Sequence, residues 1–296
     1  MRFGITPLEM ANVLQIIGEG GIPDFSNFNF VDIISIVREH GFSLMELTMD
    51  VTYVLPGGLT EETVKALKKV KKELGLTFTA HLPLWAIEPS CPNTYIRQAS
   101  IDCLVDAINL VKPLEPEVYV LHATGALASE FSRLQIPSIY KSFITKHFNN
   151  LAGQSIEGLL KRTKIPSRRL AIENIEFPLQ ATCKLAEELD TSICFDTGHL
   201  LAGYSGTISV LEFLDRYYDR IAEIHLHDGG YYPVEDNLFR RFDHQALGTG
   251  DLPIKEFLGE LQERGYDGPI IFELTLKEAK ESLDIIRQRL PDLPID

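Results

Sequence analysis

Six short apolar runs in this chain end on a residue able to bind a metal ion. Phe78-Thr79-Ala80 leads into His81, Tyr119-Val120-Leu121 into His122, and Leu170-Ala171-Ile172 into Glu173. Cys194-Phe195 leads into Asp196, Glu223-Ile224 into His225, and Ile271-Phe272 into Glu273. His199, His227 and His244 follow close behind three of these runs or their loops. Neutral imidazole together with carboxylate suits zinc, iron or manganese, whereas an all-oxygen set would have pointed to magnesium or calcium. The chain has 8 histidines in 296 residues, so three-residue windows at eight strand ends should hold fewer than one; four fall there, His81, His122, His225 and His227. A convergent cluster explains the excess. With this many ligands a bridging carboxylate can hold two ions a few Å apart, a pair that stabilises both the attacking and the leaving oxygen of a phosphoryl transfer. Phosphoester hydrolysis is the chemistry indicated.

Side chains scattered from residue 81 to residue 273 meet only if the strands that carry them converge. β-branched and aromatic runs alternate with amphipathic stretches along the whole chain. Strands are expected at 2–6, 43–48, 76–81, 118–122, 169–173, 192–196, 221–227 and 269–273. Helices are expected at 30–40, 60–74, 94–111, 139–161, 179–189, 208–217, 253–264 and 277–288, with Gly41, Gly75 and Gly265 as stop signals after three of them. Eight βα units without a linker or composition shift predict an α/β fold: a single (β/α)8 TIM barrel over residues 1–296, with its active site at the C-terminal mouth of the strands. Two long connections, 123–138 and 228–252, would border that mouth.

Lys plus Arg number 28 and Asp plus Glu 42, a formal charge of −14, which argues against a nucleic-acid partner because phosphate tracking needs a basic face. The Lys68, Lys69, Lys71, Lys72 run reads as a solvated helix face. The four cysteines lack CxxC spacing, the N-terminus lacks an apolar leader, and no run is long enough to span a bilayer, so a cytoplasmic, membrane-free protein with free thiols is expected. Cys194 reads as inert core and Cys91, beside Pro92, as exposed. His40 and His147 read as surface residues, and neither Glu46 nor Asp50 is given a role.

Ala80-His81-Leu82-Pro83, His122 with Gly125, Ile172-Glu173-Asn174, Phe195-Asp196-Thr197-Gly198-His199, Ile224-His225-Leu226-His227-Asp228, Asp243-His244 before Leu247-Gly248, and Phe272-Glu273 form an ordered set. That set resembles the endonuclease IV-like branch of the xylose-isomerase-like barrels, AP endonuclease family 2. The resemblance implies two or three divalent ions, zinc first and iron or manganese as alternates. His81, His122 and Glu173 would hold one; Glu173 would bridge to a second bound by Asp196, His225 and Glu273; His199 and His244 would hold a third. The family's carboxylate two residues before the last histidine is Phe242 here, and the nearest one is Asp243. Hydrolysis would use hydroxide generated at neutral pH on the metal pair, with Glu173 and Glu273 as the catalytic carboxylates.

Trp85, Leu82, Leu84, Tyr53 and Leu127 are expected near the mouth, Trp85 as a substrate contact or equally a core aromatic. Arg240 and Arg241 are candidate phosphate clamps, and His227, Asp228 and Asp243 candidate supports for the ligands. The segments around His81 and His122 are similar to cobamide-remodelling phosphodiesterases. That similarity implies a small-molecule phosphodiester substrate, with the nucleotide-loop phosphodiester of a corrinoid as the named candidate. Alternatives are a sugar or sugar-phosphate isomerase or epimerase, an abasic-site DNA endonuclease, and a non-catalytic corrinoid- or metal-binding protein.

Overall fold

The computed structural model describes residues 1–6, 30–54, 58–235 and 238–295. Eight short parallel strands close on themselves: β1 (Arg2–Ile5), β2 (Leu44–Thr48), β3 (Thr77–His81), β4 (Tyr119–Leu121), β5 (Leu170–Glu173), β6 (Ser192–Asp196), β7 (Ile221–His225) and β10 (Pro269–Phe272). The circuit runs in sequence order from β1 to β7 and then through β10, which pairs with β1 from Arg2 opposite Pro269 to Ile5 opposite Phe272. The expected TIM barrel is therefore the observed one.

The helices form where the sequence punctuates them. They are α1 (Phe30–Glu39), α2 (Val51–Val54), α3 (Glu61–Leu74), α4 (Thr94–Val111), α5 (Ala126–Arg133), α6 (Ser138–Thr163), α7 (Leu179–Glu188), α8 (Thr197–Leu201), α9 (Val210–Tyr217), α10 (Ile254–Glu263) and α11 (Leu276–Arg289). In α3 the Thr60 hydroxyl accepts the Thr63 N–H, Glu61 and Glu62 sit at the positive end, Lys71 and Lys72 at the negative end, and Gly75 stops the helix at φ 64°. A reciprocal Thr275–Glu278 capping box starts α11.

Strand alternation splits the labour between two faces. Phe195 turns outward, stacking on Phe213 of α9 at 4.1 Å and edge-on to Phe257 of α10 at 5.8 Å. Its neighbours face the other way: Cys194 packs with Val120 and Ala171, and Asp196 lies at the mouth. The outer contacts thus clamp β6 while its last residue is presented to the interior.

Two connections expected as loops carry structure. Residues 123–138 contain α5, and residues 228–252 fold into an antiparallel hairpin of β8 (Asp228–Glu235) and β9 (Leu238–Gln245), Tyr231 opposite Arg241 and Tyr232 opposite Arg240. Strand β7 stops at His225 because the chain turns there: the Thr197 hydroxyl engages the carbonyls of His225 and His227 at 3.2 and 2.8 Å. Asp228, expected to orient a ligand histidine, instead anchors the hairpin. Its Oδ1 accepts the N–H groups of Gly229 and Leu252 and its Oδ2 that of Gly248, at 2.8–3.0 Å, and among the described residues it accepts from no imidazole. Cys91 is buried, contrary to the expectation that it is exposed.

Asp228 is fully buried, so truncating it strands three backbone donors. Asp228→Ala is expected to lower unfolding stability by about 3 kcal/mol in urea denaturation. A loss within a few tenths of a kcal/mol would show that the hairpin base does not depend on this carboxylate.

Candidate metal centre

Glu173, the last residue of β5, is the pivot of the mouth. Its Oε2 lies 3.2 Å from His81 Nε2 and 2.9 Å from His122 Nε2, while its Oε1 lies 3.2 Å from His199 Nδ1 and 3.7 Å from His225 Nδ1. One carboxylate therefore touches four imidazoles from four different strand ends or their following turns. Glu273 Oε2 closes the far side, 3.2 Å from His225 Nδ1 and 3.4 Å from His244 Nε2. Asn174 locks the ends of β5 and β6 together, accepting the Asp196 N–H at 2.8 Å and donating to the Asp196 carbonyl at 2.9 Å.

Hydrogen bonds on the outer nitrogens decide which inner nitrogens are free for a cation. His81 Nδ1 bonds the Leu82 carbonyl at 3.0 Å, which leaves Nε2 facing Glu173. His225 Nε2 bonds Glu46 Oε2 at 3.3 Å, which leaves Nδ1 facing Glu173, Asp196 and Glu273. Glu46 is fully buried on β2 and is held in turn by the Thr6 hydroxyl at 3.2 Å. Sequence reasoning gives it no role. The one signal is a carboxylate inside the apolar run Leu44-Met45-Glu46-Leu47, away from the strand ends where ligands are expected.

His227 joins the cluster but with both nitrogens engaged. Its Nδ1 accepts the backbone N–H of His244 at 2.9 Å, so the proton resides on Nε2, which donates to Asp196 Oδ2 at 2.9 Å. The other Asp196 oxygen accepts the His199 N–H at 2.6 Å and caps α8. His227 thus bonds Asp196, and it also falls in a set of converging ligating groups with His244 and Glu273. Gly198 makes room for the ring, since a Cβ there would meet His227 Nδ1 at 2.1 Å.

The carboxylate missing at Phe242 is supplied one residue later. Asp243 Oδ2 lies 3.6 Å from His199 Nε2 and 3.4 Å from His244 Nδ1. His244 adopts φ 49°, a left-handed backbone that turns the end of β9 so that successive residues, Asp243 and His244, both reach inward. Phe242 packs instead against Tyr232 and under Arg240.

Charge follows the geometry. Burial opposes protonation of His81, His199 and His244, yet the facing carboxylates hold these imidazoles up at about 10, about 9 and about 11. Burial likewise opposes ionisation of Glu173 and Glu273, but the surrounding histidines, His122 and His225 for Glu173 and His225 for Glu273, hold both well below the usual carboxylate range. Glu223, one layer deeper on β7, is pushed well up by burial and by Glu46, which outweigh the opposing pull of His225, Thr79 and His81.

The donor set fits divalent cations. His199 Nδ1 and His225 Nδ1 are buried with no hydrogen-bond partner, although carboxylate oxygens surround both. Ligating atoms fall within 4.8 Å of one another in the sets His81, His122, Glu173; Glu173, Asp196, His225, Glu273; and His199, Asp243, His244. Every metal ligand expected from the sequence is in one of these sets.

Beside the cluster opens a cavity of about 520 Å³ lined by Trp85, His122, Glu176, His199, Tyr204 and Asp243. A larger cleft of about 600 Å³ lies between α3 and α4, but no ligating groups converge there. Trp85 is 52% exposed and so is not a core aromatic. Buried Asp50 accepts the N–H groups of Leu84 and Trp85 at 2.9 and 3.2 Å, and Ala86 takes φ 59°, so the loop is braced with the indole outward. Arg241 stacks over Tyr231 at 4.8 Å and over Tyr204, a lining residue of the cavity, at 5.8 Å, and donates to the Gly203 carbonyl at 3.3 Å. Arg240 lies on the opposite face of β9, over Phe242, and neither arginine lines the cavity. Leu82 is buried, Leu127 lines a different cavity, and Tyr53 meets Cys103 at 3.1 Å; of the apolar residues expected at the mouth, Trp85 and Leu84 line it. Among the described residues no helix is long and apolar enough to cross a membrane.

Residues 34–289 match the profile of a family described as xylose isomerase-like TIM barrel. A curated relative, an uncharacterised protein, MJ1311, of Methanocaldococcus jannaschii, is 22% identical over 268 residues, covering 86% of this chain and 82% of its own length. Among solved structures, a D-tagatose 3-epimerase-like protein superposes with a TM-score of 0.69 at 19% identity, covering 98% of this chain and 97% of that one. Endonuclease IV from Thermus thermophilus superposes at 0.66 and 18% identity, covering 99% and 100%. At such identities the structural likeness establishes the fold.

The centre makes two predictions. Glu46→Gln, which leaves every inward-facing ligand in place, is expected to weaken zinc binding about tenfold or more in competition with a chromophoric chelator. Unchanged affinity would remove Glu46 from the centre. In chelator-treated protein the raised histidines contribute stability that is complete below their ordinary value near 6.5 and disappears as pH rises through about 9 to 11. The melting temperature of the metal-free protein should therefore fall across that interval, and a flat profile would contradict the charge pattern.

Proposed function

The chain belongs to the xylose isomerase-like TIM-barrel family, and from that premise we propose that it is a metal-dependent phosphodiesterase acting on a small-molecule phosphodiester, foremost the nucleotide-loop phosphodiester of a cobamide. One observation carries the reading: Glu173 meets two histidines on each of its oxygens, joining sets of ligands that a single ion would leave unused. His81, His122 and Glu173 would hold one cation; Glu173, Asp196, His225 and Glu273 a second; His199, Asp243 and His244 a third. Zinc suits this mixture of imidazole and carboxylate, and iron and manganese accept it. When bound, such ions lower the pKa of water and draw charge from phosphoryl oxygens.

The protein's own groups do the rest. Glu173 and Glu273 stay anionic and serve as positioning charges, not as nucleophiles. His227 and Glu46 hold Asp196 and His225 in orientation. Arg241 stands where a phosphate oxygen could be met by its planar fork, and Trp85 forms an apolar wall for the organic part of the substrate. In the proposed reaction the oxygen of water bonds to phosphorus, the bond from phosphorus to the nucleoside oxygen breaks, and one water proton ends on that leaving oxygen. Cobinamide phosphate and the nucleoside are the products. A charge of −14 disfavours an extended duplex as substrate.

A second reading has its own support. Glu173, Asp196, His225 and Glu273 alone form a complete site for one ion, as a sugar or sugar-phosphate epimerase would use. Metal stoichiometry separates the two: two or three ions per chain support the phosphodiesterase and one supports the epimerase. Zinc-loaded protein incubated with a complete cobamide should release cobinamide phosphate, with turnover reduced at least a thousandfold in Glu173→Gln and KM raised about tenfold in Trp85→Ala. Turnover of an abasic-site duplex or a ketohexose in its place would overturn the proposal, and tight corrinoid binding with no turnover, unaffected by Glu173→Gln, would point to a binding protein.

A further inference from the structure

Helix α6 is regular from Ser138 to Thr163, yet its buried residues begin at Phe148; none of residues 138–147 is buried against the rest of the chain. Ten residues of helix are marginal alone in water and ordinarily persist by packing an apolar face. Its inner side is held by Ile144, partly buried against Ala128, Phe148 and Phe177, but its larger apolar face is outward: Ile139, Tyr140 and Phe143 stand exposed on its first two turns. Phe131 and Leu134 at the end of α5, and Tyr95 and Ile96 at the start of α4, continue the same surface. A cavity of about 480 Å³ lined by Cys91, Ile96, Leu127, Phe131, Phe143 and Phe148 joins the three helices.

The patch is large for a monomer. Its seven side chains are 37–88% exposed. Large apolar side chains offer on the order of 200 Å² each, so together they show roughly 800 Å², above the few hundred Å² usual on monomeric proteins and close to the share each partner gives to a stable interface.

Charge selects the occupant. The chain carries 42 carboxylates in 296 residues, about one in seven, yet residues 131–156 contain none, its longest such stretch. Arg133 in that stretch is paired with Glu176 at 3.2 Å, leaving Lys141 and Lys146 as its other cations. An anionic membrane would face a −14 chain with little basic charge to hold it. Two copies approaching elsewhere would set acid against acid; here residues 131–156 bring no carboxylate and Glu130 stands at the margin. We propose that this α4–α5–α6 face is an isologous dimer interface, filled by the same face of a second copy.

Sedimentation velocity of the metal-loaded full chain at micromolar concentration tests this. The expected species has twice the chain mass, and Phe143→Glu should run as a monomer with unchanged far-UV circular dichroism and zinc content. Ile139→Glu serves as the second variant should Phe143→Glu fail to fold, and Leu211→Glu, at an exposed apolar residue outside the patch, should remain dimeric. A monomeric wild type would overturn the proposal, as would a dimer that survives a folded Phe143→Glu or Ile139→Glu, or a Leu211→Glu that dissociates.

Discussion

A buried carboxylate has to be surrounded by cations or polar hydrogens, because transfer of an unpaired charge out of water costs several kcal/mol at least. Glu173 is 1% exposed, and much of the mouth can be understood as the means of compensating it. Four imidazoles on its two oxygens come from β3, β4, β7 and the turn after β6, so the barrel cannot shift one strand relative to the next without undoing the compensation. The same requirement passes outward. His81 has its orientation fixed from behind by the Leu82 carbonyl and His225 by Glu46, while His227 fixes Asp196.

Of the five non-glycine residues with left-handed φ among the described residues, two stand at the mouth, while Glu115 and Lys164 end helices elsewhere. His244 sits at φ 49° and Ala86 at φ 59°, both in the left-handed region that non-glycine residues enter at a cost of about 1–3 kcal/mol. At His244 the result is that Asp243 and His244, adjacent in sequence, both turn into the cluster. At Ala86 it is an indole held at the rim over a loop tied down by Asp50. The first lies in the cluster of ligating groups and the second at the rim of the mouth cavity, and Asp228 ties down the base of the hairpin that carries the first.

How much of this the sequence displays depends on whether a residue's position follows from strand geometry. His81, Glu173, Asp196 and His225 end their strands, with His122 and Glu273 immediately beyond, so convergence at a barrel mouth makes them readable. Glu46 lies one layer lower, mid-strand, where a charged residue looks like an interruption of the apolar pattern and its partner is 179 residues away. Along a continuous strand residues two apart share a face, so alternation alone would set His227 beside His225; β7 ends at His225, and the chain beyond it places His227 instead. The displacement of the carboxylate from Phe242 to Asp243 goes with a register irregularity between β8 and β9 and with the left-handed His244, and the choice of Arg241 over Arg240 depends on a hairpin whose pairing no local signal announces. Trp85 reads equally as core or contact until the Asp50 brace is known.

The acidity of the chain acquires three separate meanings once its carboxylates are placed. Glu173, Asp196, Asp243 and Glu273 face imidazoles at the centre and would be neutralised by cations there, so they contribute little to the field outside. Most of the others lie on the outer surface and repel polyanions at long range. Their absence from residues 131–156 leaves one apolar face where two such anions can come together. Because α5 contributes Ala126 and Ser129 to the mouth cavity and Phe131 to that outer face, a contact there would also stiffen a wall of that cavity.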